Sequence, residues 1–202
     1  MDNFGHNRCG KSGCAILVRK SLRTLIFKVN NINNDRIVGI ELRNHDDPPL
    51  YLFCVYMPSE SDINVYTDTL CDVQATFSYF CKLGTVCLAG DFNAQLDTES
   101  RCPPNQKSKL LSAFISRNGL IPMNTVFESN AFTYVPSRSN LDYVLIENSF
   151  GHIITQYSVA RPEDTLTSDH LPIFFQVNYG GERVNLRPKP NTYRNINWSK
   201  CM

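Results

Sequence analysis

The stretch VCLAGDFNAQLD (Val86–Asp97) joins a fully apolar run to a group of polar residues, and this join decides the fold. The run from Val86 to Ala89 is apolar at consecutive positions, which is typical of a strand covered on both faces of a sheet. Asp91 and Asn93 lie two positions apart, so an extended backbone directs both side chains to the same side. An Asp-x-Asn sequence after glycine is also common in solvated turns. The stretch therefore predicts a central strand that ends either in half of a functional site or in a turn.

The flanking sequence predicts further strands and two helices. Apolar positions spaced three and four apart indicate one helix between an N-cap at Ser59 and a stop at Gly84. A second helix is predicted over Gln106–Arg117, because Asn118-Gly119 provides a stop signal. Short runs rich in β-branched and aromatic residues predict strands, and the asparagine-rich segment 30–35 favours a hairpin between two of them. The predicted strands are Cys14–Lys20, Thr24–Asn30, Arg36–Leu42, Pro49–Pro58, Leu141–Glu147, His152–Ala160 and His170–Asn178.

Length and charge limit the class of protein. The 202 residues are enough for one domain with a substantial core, and helices that alternate with apolar strands indicate an α/β fold. The net charge of +1 provides no global attraction to nucleic acid, so any such attraction must come from a local patch. No apolar window in the sequence is long enough for a membrane span.

The eight cysteines do not have the positions of a disulfide framework. Cys54 and Cys87 lie in apolar strands, and Cys71 and Cys81 lie in the first predicted helix, where a free cysteine acts as a small hydrophobe. No CxxC pair occurs, so zinc-finger spacing is absent. This usage favours a reducing compartment, either the nucleus or the cytoplasm.

Acidic residues occur at the ends of three apolar strands. Asp91 follows VCLA, Asp142 precedes YVLI, and the pair Asp169-His170 precedes LPIFF. Strand ends on a rigid scaffold can present polar groups into a cleft. Taken together, these positions predict a single site built from distant parts of the chain.

The motifs around these residues resemble those of a known superfamily. GDFN at 90–93, LDYVLI at 141–146 and SDHLPI at 168–173, preceded by VYMPS at 55–59, resemble the endonuclease/exonuclease/phosphatase superfamily. They are most similar to the apurinic-type endonuclease domain of non-LTR (LINE-like) retrotransposons, and the resemblance extends from Gly10 to Val177. It implies a DNase I-like fold, which is a two-sheet, four-layer α/β sandwich.

The resemblance also implies roles for individual residues. Asp142 and His170 would form a hydrogen-bonded pair beside the scissile phosphate. Asp91 would position or activate the attacking water, and Asn93 would contact the phosphate. Asp169 is the implied metal ligand, and Tyr56 is the implied hydrogen-bond donor on the phosphate side of the site. Thr133 and Ser168 match polar positions that line the same site.

The implied cofactor is Mg²⁺ or Mn²⁺, and the sequence departs from the superfamily in the part that would bind it. A strand ending in Asn and a second strand ending in Gln-Glu precede, in the superfamily, the segment that KSGCAILVRKS resembles. Neither strand has a counterpart here, so the metal-binding Glu is missing and the metal would be weakly held. We therefore expect an N-terminally incomplete domain over 1–179 that lacks the first one or two strands. A basic tail over 180–202 resembles the connection to a reverse transcriptase.

Three functions follow from these observations. The first is a Mg²⁺-dependent DNA endonuclease of retrotransposon origin that nicks one strand. The second is an inactive remnant that at most binds DNA, and the third is another phosphoesterase branch of the same superfamily. The implied partners are duplex DNA and the reverse transcriptase domain of a parent polyprotein, with no membrane partner.

Overall fold

The computed structural model describes residues 13–30, 32, 34–44, 47–96, 105–127, 132–161 and 168–179. Within these ranges, eight strands form a six-stranded sheet and a two-stranded sheet. The strands are β1 (Ile26–Lys28), β2 (Ile37–Leu42), β3 (Leu50–Tyr56), β4 (Thr85–Asp91), β5 (Leu120–Pro122), β6 (Asp142–Glu147), β7 (Ile154–Val159) and β8 (Ile173–Val177). The helices are α1 (Ile63–Phe80), α2 (Gln106–Arg117) and α3 (Met123–Phe127), with 3-10 turns at Lys20–Leu22 and Asn148–Ile153.

The larger sheet has the strand order β1-β2-β3-β4-β6-β5, and β7 pairs with β8 in the smaller one. β3 and β4 run parallel and are connected through α1, whereas the other neighbouring pairs are antiparallel. The hairpin predicted from the asparagine-rich segment is the β1–β2 pair. This topology brings the carboxyl ends of β3 and β4 and the amino end of β6 to one edge of the sheet. The predicted two-sheet α/β architecture is confirmed.

Alternate residues of the central strands pack into two different cores. On β3, Phe53 and Val55 belong to the cluster that includes the apolar faces of α1 and α2. Leu50 and Leu52 face the other way, toward a cluster that includes Tyr157 of the smaller sheet. Both faces of the sheet are therefore buried, which explains why the central strands are apolar at consecutive positions.

The structure agrees with the predicted bounds of α2 and corrects the start of α1. Asp62, and not Ser59, is the N-cap, because its backbone is extended and its carboxylate accepts a hydrogen bond from Asn64 N. β5 and α3 were not predicted, since three and five residues are too few to establish a period.

The predicted strand at Cys14–Lys20 is wrong. Residues 13–19 belong to no strand, and a 3-10 turn begins at Lys20. The Leu17 side chain is 91% exposed, so its apolar character reflects no packing against the described residues. Strand propensity depends on a neighbouring strand, and these residues have none within the described ranges.

Some of the sequence predictions lie outside the described residues. These are the end of the opening stretch at Asp97, where we expect a loop, and the basic tail over 180–202. Within the described ranges, no helix combines the length and the apolar character that crossing a membrane requires.

Gly90 is required by the close approach of β4 to β3. Its φ is +145°, and a Cβ at this position would lie 2.0 Å from the Val55 carbonyl oxygen. We expect Gly90→Ala to lower the free energy of unfolding by more than about 2 kcal/mol, from backbone strain and steric overlap together. Urea unfolding followed by circular dichroism measures this change.

Gly119 provides a matched control for this substitution. It also has a positive φ, +59°, but a Cβ there would meet no atom within 4 Å. Gly119→Ala should therefore cost about 1 kcal/mol, from backbone strain alone. Equal losses in the two variants would show that the contact with Val55 does not matter.

Candidate active site

Three polar side chains form one row across the edge of the larger sheet. In the strand register, Tyr56 of β3 pairs with Asp91 of β4, and Asp91 pairs with Asp142 of β6. Their side chains alternate with buried residues such as Phe92 and Tyr143, so they point away from the helices and toward the smaller sheet. We call Tyr56, Asp91 and Asp142 the edge row.

The turn after β4 holds the Asp91 carboxylate in place. Asn93 has a φ of +47°, a left-handed conformation that asparagine tolerates better than most residues. Its backbone N–H donates to Asp91 Oδ1 at 2.8 Å, and its side-chain amide donates to Asp91 Oδ2 at 3.0 Å. The same amide donates to the Met57 carbonyl at 2.8 Å and so ties this turn to the end of β3. The structure thus contains the predicted turn, and the role of Asp91 and Asn93 in a functional site stays a prediction.

His170 connects the two carboxylates of the edge row. Its Nδ1 lies 2.8 Å from Asp142 Oδ2, and its Nε2 lies 4.0 Å from Asp91 Oδ2. The hydrogen bond with Asp142 fixes the Nδ1 proton and leaves Nε2 facing Asp91. The fold thus brings polar atoms of positions 91, 142 and 170 within 4.8 Å of one another, although these positions are far apart in the sequence.

A loop around Thr133 holds the segment that carries His170. Val135 N donates to the Asp169 carbonyl at 2.9 Å, and Leu171 N donates to the Thr133 carbonyl at 2.7 Å. The Tyr134 ring lies with its centroid 5.0 Å from the His170 ring. The sequence motifs did not single out Tyr134, although it directly follows Thr133. Only the folded loop shows that its ring contacts the imidazole.

The predicted polar residues Thr133 and Ser168 act on the backbone in this structure. The Thr133 hydroxyl is buried and accepts hydrogen bonds from Leu141 N at 3.0 Å and Asp142 N at 3.1 Å. The Ser168 hydroxyl is exposed and accepts a hydrogen bond from His170 N at 3.1 Å. Both contacts position the Asp142–His170 pair. A direct contact of either hydroxyl with DNA stays a prediction.

The group that could hold a cation differs from the sequence prediction. Ligand atoms of Asp91, Asp142 and His170 all lie within 4.8 Å of one another. Asp169 is exposed and is not part of this group, so its role as a metal ligand stays a prediction. Two carboxylates and an imidazole are a donor set that divalent cations accept.

The surroundings of the site raise the pKa of both Asp91 and His170. Burial, with the charge of Asp142 next, raises the pKa of Asp91 to about 6, against the lowering effects of Asn93 and His170. Burial alone lowers the pKa of His170, but the hydrogen bond and charge of Asp142, with the charges of Asp91 and Asp169, raise it overall. A carboxylate with a pKa near 6 can accept a proton close to physiological pH.

Tyr56 is flanked by a cation that the sequence motifs did not include. The Arg36 guanidinium carbon lies 5.4 Å from the centroid of the Tyr56 ring, and Arg36 Nη2 lies 3.6 Å from Glu60 Oε1. The Arg36 side chain is 14% exposed. Stacking on the guanidinium limits the movement of the Tyr56 ring.

Comparisons with known proteins agree with the fold. The fold is that of the endonuclease/exonuclease/phosphatase superfamily. Within it, the chain belongs to the family described as endonuclease-reverse transcriptase, whose model matches residues 50–174. No curated protein matches the chain.

Solved structures of several nucleases have a similar fold. The endonuclease domain of TRAS1, a telomere-specific non-LTR retrotransposon, is 19% identical with a TM-score of 0.59, over 75% of this chain and 66% of its own. The 3′-5′ exonuclease NExo from Neisseria meningitidis is 12% identical with a TM-score of 0.59, over 76% and 71%. An AP endonuclease from Archaeoglobus fulgidus is 14% identical with a TM-score of 0.54, over 72% and 66%. The chain thus spans about two thirds of the length of these structures.

The two hydrogen bonds accepted by Thr133 provide a test of its role. Thr133→Val keeps the shape of the side chain but leaves the N–H groups of Leu141 and Asp142 without their acceptor. We expect a loss of about 2–4 kcal/mol in the free energy of unfolding, measured by urea titration. Thr133→Ser retains the hydroxyl and should lose less than half as much. An unchanged stability in Thr133→Val, with the loss confined to Thr133→Ser, would mean that the methyl group, and not the hydroxyl, is what matters.

The raised pKa of Asp91 predicts a pH dependence of stability. Because the folded carboxyl binds its proton more tightly than the unfolded one, with a pKa of about 6 against 3.8, its contribution to stability falls as pH rises between these values. Asp91→Asn removes this titration. Relative to the variant, the wild type should therefore lose about 1–3 kcal/mol of stability between pH 4.5 and pH 7.

This measurement uses urea unfolding of both proteins in buffer with EDTA, so that no bound cation changes the pKa of Asp91. The comparison between two pH values cancels any constant effect of the substitution, such as the altered contact with Asn93. A stability difference that does not change with pH would show that the Asp91 carboxyl titrates near its ordinary value.

Proposed function

We propose that this chain is a metal-dependent DNA endonuclease domain of retrotransposon origin that hydrolyses a phosphodiester bond and nicks one strand of duplex DNA. One observation carries the proposal: the Asp142–His170 pair at 2.8 Å faces a second carboxylate, Asp91, at 4.0 Å from His170 Nε2. The family description and the nuclease neighbours support DNA as the substrate. The reverse transcriptase domain of the same element would be its partner.

Hydrolysis of a phosphodiester needs an activated water and stabilisation of the charge on the phosphate oxygens. Asp91 is placed to accept the proton of the attacking water, because its pKa of about 6 leaves it ionised at neutral pH but still basic. Asn93 holds both Asp91 oxygens by hydrogen bonds and so fixes the direction of the carboxylate. Its predicted contact with the phosphate would require the side-chain NH₂ group to rearrange, because the side-chain oxygen only accepts hydrogen bonds.

His170 provides the complementary positive charge. The Asp142 carboxylate orients the imidazole through Nδ1 and favours its protonated form. The protonated Nε2 can then donate to a phosphate oxygen placed between it and Asp91. Tyr56, at the other end of the edge row, would donate its hydroxyl to the same phosphate.

The residues of the edge row fit a divalent cation. The charge of Asp142 contributes to the raised pKa of Asp91, and a cation held by the two carboxylates would relieve that repulsion. Asp91 and Asp142 would hold Mg²⁺ or Mn²⁺, with Asp169 as a further ligand from the adjoining segment. When bound, the cation supplies charge stabilisation to the phosphate oxygens.

A nicking assay on supercoiled plasmid tests this function. With Mg²⁺ or Mn²⁺ present, Asp91→Ala and His170→Ala should each lower the nicking rate by at least about 100-fold, because each removes a proton-transfer or charge-stabilising group. Exposed residues of the same types provide matched controls. Asp68→Ala on α1 and His152→Ala in the 3-10 turn should nick at the wild-type rate.

Three results would contradict the proposal. Equal rates in the wild type and the site variants would show that nicking comes from a contaminant. Salt-sensitive DNA binding without metal-dependent nicking would favour an inactive remnant. Hydrolysis of other phosphoesters, but not DNA, in a substrate panel would place the chain in another branch of the superfamily.

A further inference from the structure

We propose that Cys14 and Cys54 form an oxidisable dithiol, a modification site for hydroperoxides that lies directly beneath the edge row. The two residues are 40 positions apart in the sequence, and neither belongs to the proposed catalytic group. Their placement next to one another comes from the fold of residues 13–19 over the end of β3. The proposal does not depend on nuclease activity.

Cys54 lies one step below the edge row on the same face of the sheet. It is two residues before Tyr56 and pairs with Ala89 of β4, which in turn pairs with Val144 of β6; Ala89 and Val144 are two residues from Asp91 and Asp142. A cavity of about 440 Å³ opens over this part of the sheet. Its lining includes Ile16, Cys54, Asp142 and His170, so a small oxidant that reaches the edge row also reaches the Cys54 sulfur.

Cys14 is held next to this position by a hydrogen bond. Its Sγ donates to the Arg36 carbonyl at 3.2 Å, and the same carbonyl accepts a hydrogen bond from Tyr56 N at 3.0 Å. The Arg36 carbonyl oxygen therefore accepts two hydrogen bonds, one from the backbone of Tyr56 at the end of β3 and one from the Cys14 thiol. Because Val38 pairs with Cys54 in the adjacent position of the ladder, this bond brings Cys14 to the same end of β3.

The interaction between the two side chains shifts their pKa values in opposite directions. When Cys54 is ionised, the Cys14 S–H can turn from the Arg36 carbonyl to the thiolate, and this interaction lowers the pKa of Cys54 to about 7, although burial opposes the shift. The same interaction, with burial next, raises the pKa of Cys14. Cys54 is therefore the nucleophile at neutral pH, and Cys14 is the resolving thiol that remains protonated beside it.

Oxidation by a hydroperoxide proceeds in two balanced steps. The Cys54 thiolate attacks one oxygen of hydrogen peroxide, the O–O bond breaks, and Cys54 sulfenic acid and hydroxide form. Cys14 sulfur then attacks the Cys54 sulfur, an S–S bond forms, and the oxygen leaves as water with the Cys14 proton taken up by the hydroxide. Two thiols lose two electrons in total, and the peroxide is reduced to two molecules of water.

The remaining described cysteines provide the contrast. The five cysteines in the described ranges are all free, with Cys71 exposed on α1 and Cys87 buried. Burial raises the pKa of Cys87 to about 12, so it should stay a thiol and react slowly. If exposure alone decided which cysteine is oxidised, Cys71 would react first. If proximity to a second thiol and a lowered pKa decide, Cys54 reacts first and forms a cross-link with Cys14.

Peptide mapping of the full chain after treatment with hydrogen peroxide tests the proposal. Free thiols are blocked with iodoacetamide, and the protein is digested with trypsin and then with a protease that cuts after Glu60. Trypsin releases Cys14 in the peptide 12–19, and the second cut separates Cys54 from Cys71 and Cys81. The expected product is a reducible cross-link between the Cys14 peptide and the Cys54 peptide.

Variants and a denatured control decide between specific and random oxidation. Cys14→Ser and Cys54→Ser should each abolish the cross-link, and Cys71→Ser should leave its yield unchanged. In wild-type protein, iodoacetamide at pH 7 should label Cys54 at least ten times faster than Cys87. The proposal is overturned if the folded wild type forms no Cys14–Cys54 cross-link, or if protein in urea forms the same set of cross-links. The wild-type measurements keep the test valid even where a serine variant does not fold.

Discussion

The register of three strands is the constraint on which the rest of the structure depends. Tyr56, Asp91 and Asp142 meet in one row only because β3 and β4 run parallel while β6 runs antiparallel beside them. A shift of one residue in any of these strands would turn its polar group into the helix-packed core. The apolar residues between the polar ones prevent such a shift, since Phe92 and Tyr143 are fully buried on the opposite face. The hydrophobic core thus fixes the geometry of the polar site.

The same arrangement explains the electrostatics. At this partly buried edge, burial and then the charge of Asp142 raise the pKa of Asp91, and the nearby His170 partly opposes the shift. His170 is delivered by a separate segment, which is joined to the sheet through the Thr133 loop. The site therefore combines a rigid half, built by strands, with a half attached through backbone hydrogen bonds. Short sequence motifs mark both halves: GDFN and LDYVLI lie at the strand ends, and SDHLPI contains His170.

Local patterns predicted much of this arrangement, and contacts between distant segments account for what they missed. The bounds of α2 could be read from the sequence, because they depend on near neighbours in a regular element. The motif resemblance selected Asp91, Asn93, Asp142 and His170, which the fold brings together, and their roles in catalysis stay a prediction. The strand at Cys14–Lys20 could not be judged in that way, since a strand needs a partner that propensity does not reveal. The contacts of Tyr134 with His170 and of Arg36 with Tyr56 join segments far apart in the chain. Single-sequence patterns contain no information about such pairs.

The position of Phe92 links the hydrophobic core to the polar site during thermal unfolding. It lies between Asp91 and Asn93, its side chain is completely buried, and its backbone N–H and carbonyl are held by Leu141 and Tyr66. The residue that anchors the core therefore shares its backbone with the residues that would perform the chemistry. Any loosening of the core around Phe92 would be transmitted to both polar neighbours before the sheet itself separates. Loss of catalytic competence should thus be the earliest sign of thermal damage, ahead of any change in secondary structure.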